Sequence, residues 1–192
     1  MKKIFMTMVA AFAAVSMNAQ VYVGGSLSFA SVSNQKAVGD KSETTFKIMP
    51  EIGYNLNEEW AIGAVIGYQS NKWDNVEQGD NAFGANTLSG ISESAFTFNP
   101  YARYTFAKLG QVNLFVDGGV DFTTYSKSDA TKLGIGFKPG VAVNLTDELS
   151  FVSHLGFIGW NMFNPDGDDN NTNAFGLDLS GANLSFGLYY NF

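Results

Sequence analysis

The sequence predicts an all-β protein in which eight antiparallel strands close into an up-and-down β-barrel. Three observations support this prediction. Apolar and polar residues alternate with a period of two along most of the chain after residue 20, which is typical of strands with one apolar and one polar face. The connections alternate between short turns and longer polar loops. The final segment keeps the alternation to its end, placing on one face Leu184, Phe186, Leu188, Tyr190 and Phe192.

The first nineteen residues have the features of a secretory signal peptide. Two lysines precede the apolar run Ile4–Val15, and a small-residue exit follows at Met17–Ala19. We therefore expect residues 1–19 to be a cleaved signal peptide and residues 20–192 to form the mature domain. The apolar run is too short to span a bilayer as a helix.

The alternation divides the mature chain into eight strands. They are Val21–Phe29, Thr44–Leu56, Trp60–Gln69, Ser94–Phe106, Val112–Tyr125, Leu133–Leu145, Leu149–Phe163 and Phe175–Phe192. Within the last strand the phase slips between Leu179 and Leu184, which predicts a bulge around Gly181. The predicted short turns follow the second, fourth and sixth strands, at Asn57–Glu59, Ala107–Gln111 and Thr146–Glu148.

An internal repeat supports this assignment of strands. Pro50, Pro100 and Pro139 each lie six residues before the last apolar residue of their strand. The fragments PEIGYNLNEEW and PGVAVNLTDEL, which begin at the first and third of these prolines, are alike. Proline has no N–H to donate to a ladder, so we expect each one to interrupt strand pairing locally.

Aromatic residues gather near both ends of the predicted strands. Those near the short turns are Tyr54, Trp60, Tyr104, Phe106, Phe151, Tyr190 and Phe192. Those near the longer loops are Tyr68, Trp73, Phe96, Trp160 and Phe163. Two aromatic belts are typical of barrels that cross a membrane. A closed barrel also pairs every backbone group without help from water, so the pattern predicts a transmembrane barrel.

Together these features resemble the small outer-membrane barrel family, the eight-stranded OmpA-like and OmpX-like domains. The resemblance covers Gln20–Phe192, and its most specific elements are the terminal strand and the alternation of turns and loops. It implies export to the bacterial outer membrane and contact with outer-membrane lipid and lipopolysaccharide. It also implies that the alternating apolar residues of the tail, Leu184 to Phe192, are the signal read by the barrel assembly machinery.

Composition excludes several other classes of protein. The chain has 18 acidic against 11 basic residues, a balance that disfavours nucleic acid as a partner. It has no cysteine, so neither a disulfide framework nor a thiolate metal site can form. We expect no cofactor, no metal site and no catalytic residues, and we expect the protein to be a monomer.

Ionisable residues lie on the polar face, in the middle of their strands. They are Lys47, Glu51, Arg103, Asp117, Asp121, Lys138 and the single histidine, His154. An eight-stranded barrel is just wide enough for its own side chains to fill it, and an unpaired buried charge is costly. We therefore predict that these residues pair inside a largely occluded lumen, and that the protein has a structural or surface-interaction role.

Two other functions stay open at this point. The same charges would also suit a small porin that passes ions or small solutes. A lipid-modifying barrel enzyme would use His154, but its neighbour Ser153 points to the opposite face of the strand, so such a site needs a residue from another strand. A soluble lipocalin-like barrel is disfavoured. It would turn the apolar strand faces inward, whereas here the opposite face carries charges that suit a polar lumen better.

The loop Asn164–Asn173 is acidic, with Asp166, Asp168 and Asp169 close together. Carboxylates of this kind can bind calcium, but the spacing of glycine and of a closing acidic residue is not that of an EF-hand. We expect a solvated acidic loop.

The terminal aromatic residue provides a first test. Deleting Phe192, or making the substitution Phe192→Asp, is expected to lower the amount of assembled barrel far more than the amount of chain synthesised, because the assembly signal ends on this ring. Pulse-labelling followed by separation of folded and unfolded bands on a gel measures both quantities. Normal assembly of the chain lacking Phe192 would contradict the assignment of the tail.

Overall fold

The structure, a computed structural model, describes residues 20–34, 41–74, 93–165, 171–179 and 184–192. Within these ranges the chain forms ten strands. They are β1 (Val21–Asn34), β2 (Lys41–Asn55), β3 (Trp60–Asp74), β4 (Glu93–Leu109), β5 (Val112–Tyr125), β6 (Thr131–Asn144), β7 (Leu149–Leu155), β8 (Phe157–Asn164), β9 (Thr172–Asp178) and β10 (Leu184–Asn191). The predicted signal peptide, Gly181 and the three aspartates of the acidic loop lie outside the described residues.

These strands form one closed antiparallel barrel of eight crossings, as the sequence predicts. β7 and β8 are two parts of the seventh crossing, and both pair with β6. β9 and β10 are two parts of the eighth, and they pair with β8 and β7 respectively. The first and last crossings close the barrel through four residue pairs, from Tyr22↔Asn191 to Gly25↔Leu188. Over the described residues, no helix is long and apolar enough to cross a membrane.

Strand positions agree closely with prediction, and most differences lie toward the longer loops. One lies at a short turn: the prediction of a turn at Ala107–Gln111 is wrong, because β4 continues to Leu109 past a register shift between Thr105 and Ala107, which leaves only Gly110 and Gln111 in the turn. β5 has the predicted bounds. β1 and β3 each continue five residues beyond their predicted ends, to Asn34 and Asp74. In both extensions polar residues occupy most positions, so backbone pairing continues where the sequence alternation is no longer visible.

The seventh crossing corrects one prediction. Leu149–Phe163 was expected as one strand, but it breaks at Gly156, whose φ is 141°. Val152 before the break and Phe157 after it are both buried, so the inward face changes from even to odd positions. As a consequence Phe163 turns inward and packs edge-on against Tyr125, with ring centroids 6.2 Å apart, instead of joining the outer aromatic belt.

The two turns of the internal repeat have the same hydrogen bonds. In the first, the Asn57 side-chain oxygen accepts from the backbone N–H of Glu59 at 2.9 Å and of Trp60 at 2.8 Å. In the second, the Thr146 hydroxyl accepts from Glu148 at 3.2 Å and Leu149 at 3.0 Å. Asn57 and Thr146 occupy the same position in the two similar fragments, so the repeat specifies a common turn by side-chain capping.

The three repeated prolines interrupt pairing, as predicted, and always within a hairpin that has a short turn. The β2–β3 ladder stops at Ile48 and resumes at Glu51, which leaves out Pro50. The β4–β5 ladder skips Pro100 in the same way. On β6, pairing to the seventh crossing stops at Phe137 and resumes at Gly140 with the register changed by one residue.

The barrel wall separates two kinds of surface. Its outer face carries exposed apolar side chains, including those of the predicted belt near the short turns, such as Trp60, Phe106 and Phe192. Inside lies a cluster of buried residues formed by Tyr22, Ala61, Tyr101, Phe115, Val152 and Tyr189. A second, smaller cluster of Ala95, Tyr125 and Ala130 lies toward the longer loops. The inner face of the half with the short turns is therefore packed.

Candidate functional site

The most closely packed polar group of the described residues lies inside the barrel, and we call it the plug. It comprises four ionisable side chains and four aromatic rings: Glu51, Arg103, Asp117, His154, Tyr22, Tyr101, Phe115 and Tyr189. They come from six strands, because inward positions of β1, β2, β4, β5, β7 and β10 meet at this level. Alternation along each strand directs these side chains to the lumen.

Arg103 is the centre of the plug. It lies directly opposite Asp117 in the β4–β5 ladder, and its Nε and Nη2 donate to the two oxygens of that carboxylate at 2.7 and 2.8 Å. Its Nη2 also lies 3.5 Å from Oε1 of Glu51. A planar guanidinium bound bidentately by a carboxylate is the most directional ion pair available to proteins. Arg103 is only 8% exposed, so this pair is largely shielded from solvent.

Glu51 is held by the tyrosines. The hydroxyls of Tyr101 and Tyr189 donate to its two oxygens, and the hydroxyls of Tyr22 and Tyr101 lie 2.5 Å apart. Both buried carboxylates therefore have partners on each oxygen, which offsets the cost of removing them from water.

Aromatic rings surround the guanidinium. Its carbon Cζ lies 4.0 Å from the ring centroid of Phe115. The three tyrosine rings are 5.3 to 5.7 Å away. These separations allow cation–π attraction, which is worth about 2 kcal/mol or more at desolvated sites. The charge is thus held by rings as well as by carboxylates.

Each plug ring lies over a glycine on the neighbouring strand. The four cross-strand pairs are Tyr22↔Gly53, Gly63↔Tyr101, Phe115↔Gly140 and Gly24↔Tyr189. A Cβ added at any of these glycines would come within 2.1 to 2.5 Å of the facing aromatic side chain. The glycines therefore provide the room in which large rings can lie across a narrow lumen.

A second charged group lies further toward the longer loops, and we call it the lysine cluster: Lys47, Lys132 and Lys138, with Asp121. Lys138 Nζ donates to Asp121 at 2.7 Å. Lys47 is half-buried and lies in the electrostatic field of the other two lysines and of Asp121. Lys132 interacts with Asp121 and Asp178 through space. Within the described residues, neither Lys47 nor Lys132 forms a hydrogen bond or an ion pair.

The seven ionisable residues predicted for the lumen therefore divide into two groups. Glu51, Arg103, Asp117 and His154 come together in the plug, whereas Lys47, Asp121 and Lys138 lie in the lysine cluster. Sequence reasoning missed Lys132 and the three tyrosines. The sequence could have predicted the tyrosines, because each occupies an inward position of its strand and faces a glycine in the adjacent strand.

His154 bridges the plug to the last strand. Its Nε2 lies 2.8 Å from Oδ2 of Asp117, and its Nδ1 lies 3.4 Å from the hydroxyl of Ser185 on β10. Ser153 faces away, as predicted, so Ser185 is the serine that any hydroxyl–imidazole–carboxylate arrangement would use. Both oxygens of Asp117 already accept from Arg103, so the carboxylate that would support the imidazole is neutralised by a cation.

A third polar group lies at the loop end of β3 and β4. Gln69 Nε2, Asn71 Oδ1 and Glu93 Oε2 are buried and have no hydrogen-bond partner in the described part of the chain. Lys127 donates its backbone N–H to the other oxygen of Glu93 at 2.7 Å. In the described ranges, no three His, Cys, Asp or Glu side chains are grouped as metal ligands.

Removing the cation tests the plug. Arg103→Ala is expected to destabilise the barrel by about 3–5 kcal/mol, because it leaves two buried carboxylates without their cation. Arg103→Lys is expected to lose less, since it keeps the charge but not the bidentate geometry. The measurement is the urea midpoint of unfolding in lipid vesicles. The control is Lys108→Ala, which breaks the exposed Lys108–Glu58 pair and should cost about 1 kcal/mol or less. Equal losses for Arg103→Ala and the control would contradict a tightly coupled plug.

Comparisons with known proteins found matches among solved structures and family models. One solved structure that matches is the crystal structure of Neisserial surface protein A, with a TM-score of 0.49, 16% identity, and coverage of 90% of this chain and 97% of that one. No curated protein matches. The family described as the outer membrane protein beta-barrel domain matches residues 4–192, nearly the whole chain. The chain belongs to the outer membrane protein beta-barrel domain family.

Proposed function

We propose that the protein is an integral barrel of the bacterial outer membrane, exported through its signal peptide, with a structural or surface-interaction role and a largely occluded lumen. The observation that carries this proposal is the arrangement of the wall. Apolar side chains are exposed on its outer face, and a paired polar network is buried within. Family membership supports the membrane location.

The outer face fits hydrocarbon better than water. Successive outward positions along neighbouring strands are large and apolar, as at Ile62, Ile66, Phe98 and Phe122, each more than 40% exposed. Contiguous apolar surface of this extent is rare on soluble monomers. Outer-membrane lipid and lipopolysaccharide are the partners that this surface suits.

The exposed tail supports a role for the barrel assembly machinery. Phe186, Leu188, Tyr190 and Phe192 all point outward and are at least 40% exposed. The backbone N–H of Phe192 donates to the Val21 carbonyl at 3.0 Å, so the tail also joins the closing strand pair. In this proposal the signal that is read before folding later completes the barrel. We also propose that the protein is a monomer.

The plug favours an occluded lumen over the small porin. Four rings and a guanidinium lie at one level of a barrel whose width allows little more than its own side chains. Phe115 is 1% exposed and Tyr22 is 3% exposed, so little solvent reaches this level. His154 takes a structural role here, since its Asp117 partner is already bound to Arg103.

The membrane location is tested by fractionation. The mature protein is expected to begin at Gln20 and to be recovered with outer membranes. Unboiled protein should migrate faster than boiled protein on a denaturing gel, because a closed sheet resists detergent. Recovery in the soluble periplasmic fraction without a heat-dependent shift would rule out this location.

The occluded lumen is tested by conductance in planar bilayers. The unmodified protein is expected to conduct ions weakly or not at all. Arg103→Ala should produce intermittent conductance, because removal of the guanidinium loosens the rings packed around it, and Lys108→Ala should not. Steady conductance of the unmodified protein, unchanged by Arg103→Ala, would favour the porin instead.

A further inference from the structure

Two hydrogen-bond donors on one wall of the barrel lack acceptors. Lys47 and Gln69 lie directly opposite each other in the β2–β3 ladder, and both side chains are on the inner face. Gln69 is 9% exposed, and its Nε2 has no hydrogen-bond partner in the described part of the chain. Lys47 forms no hydrogen bond or ion pair with the described residues either. Directly opposed residues have Cβ atoms about 5 Å apart, so one acceptor group can reach both donors.

Two further donors approach from the opposite wall. β6 is the fourth crossing from β2 in both directions around the barrel, so its inward residues Lys132 and Lys138 face Lys47 across the lumen. Both lysines act electrostatically on Lys47, and each does so more strongly than Asp121. An eight-stranded barrel is just wide enough for its own side chains. The three ammonium groups therefore share a small volume.

The charges of the lysine cluster are not balanced at Lys47. Asp121 accepts from Lys138 at 2.7 Å, and Lys132 lies in the field of Asp121 and Asp178. Lys47 has neither arrangement, and the charged groups that act on it most strongly are the other two lysines. A half-buried ammonium beside like charges gains from binding an anion, because a charge removed from water is costly unless it is paired.

Solvent reaches the lysine cluster but hardly reaches the plug. The side chains of Lys138 and Asp121 are 30% and 21% exposed, whereas those of Arg103 and Asp117 are 10% and 5% exposed. The part of the lumen nearer the longer loops, which we call the loop half, is therefore wetter than the part below it. A small solute that reaches the lysine cluster is stopped there by the rings of the plug.

We propose that the loop half of the lumen binds a phosphate group, held by Lys47 and Gln69 on one wall and by Lys132 and Lys138 on the other. Donors on opposite walls need a ligand whose acceptor oxygens point in opposite directions. A tetrahedral oxyanion has such oxygens, whereas a carboxylate has both of its oxygens on one side of its carbon. Lysine is a common phosphate ligand, since its ammonium acts as a compact point charge.

Asp121 favours phosphate over sulfate at this site. Its carboxylate accepts from Lys138 and has further lone pairs with which it can accept another hydrogen bond. Hydrogen phosphate has an O–H that can donate to it, whereas sulfate has none and would only be repelled. The inference goes beyond the proposed structural role and does not depend on the membrane location.

Equilibrium dialysis against radiolabelled inorganic phosphate tests the proposal. The barrel is folded in maltoside micelles, whose detergent carries no phosphate, and saturable binding of one phosphate per barrel is expected. Lys47→Gln is expected to bind at least tenfold more weakly. The control Lys108→Gln makes the same change in net charge at an exposed position and should bind normally. Absence of saturable binding to the unmodified protein, or equal binding by Lys47→Gln, would refute the proposal.

Competing anions define the class of ligand. Unlabelled inorganic phosphate and glycerol 3-phosphate should both displace the label, and the stronger of the two identifies the source of the phosphate group, free phosphate or a monoester. Acetate is planar and sulfate has no O–H, so each should displace the label at least tenfold less well. Displacement by either of these as effective as that by phosphate would overturn the assignment.

Gln69→Glu tests the site while keeping all of its lysines. The new carboxylate lies directly opposite Lys47, so the chain itself supplies the anion that the site lacks. Phosphate binding should be lost, while the heat-dependent gel shift of a folded barrel is retained. Undiminished phosphate binding by this variant would contradict the site. Loss of the gel shift would also count against it, because Lys47 would then have no use for an anion.

Stability measurements test whether phosphate binds the folded barrel at this place. A ligand that binds only the folded state stabilises it, so saturating phosphate should raise the urea midpoint of unfolding above that in chloride of equal ionic strength. The rise is expected in the unmodified protein and in Lys108→Gln, and not in Lys47→Gln. A rise of equal size in Lys47→Gln would locate the phosphate elsewhere and overturn the proposal.

Discussion

The interior of this barrel depends on keeping one guanidinium out of water. Arg103 is acceptable at its position only because Asp117 binds it bidentately, Glu51 lies beside it and four rings surround it. Each of those groups has its own requirement. The carboxylates need further donors, which tyrosine hydroxyls and His154 provide, and the rings need space, which the facing glycines provide. The identity of many inward residues on six strands thus follows from one buried charge.

The outer face follows a simpler constraint. In the proposed membrane location its residues need only be apolar and regularly spaced, since hydrocarbon chains do not require a particular side-chain shape. This difference explains why Ile, Leu, Val and Phe occupy outward positions in no fixed order along the strands, whereas inward residues have particular partners. The inward residues therefore specify the fold of this barrel, and in the proposed membrane location the outer face mainly determines where the protein resides.

Much of the fold could be predicted from alternation alone. The bounds of β5, two of the three short turns and the interruptions at the prolines all follow from residue type and spacing. The reversal of faces at Gly156 could not, because a single extra glycine moves Phe157 and Phe163 inward without changing the local composition. At the candidate site, the sequence identified the ionisable residues, because they occupy inward positions of the alternating strands. Their division into two groups could not be predicted, because it depends on the register between strands.

The way the barrel closes has a consequence for how it folds. Every ladder except one joins crossings that are adjacent in the sequence, so seven of the eight interfaces can form from nearby segments. The exception is the ladder between β1 and β10, which has four residue pairs. Its formation bears the conformational-entropy cost of bringing the two ends of the chain together. Tyr22 and Tyr189 stack across that junction, with ring centroids 5.6 Å apart, and both belong to the plug. Packing in the lumen therefore stabilises a junction whose ladder is short, and the contacts of greatest sequence separation are concentrated where the first and last crossings meet.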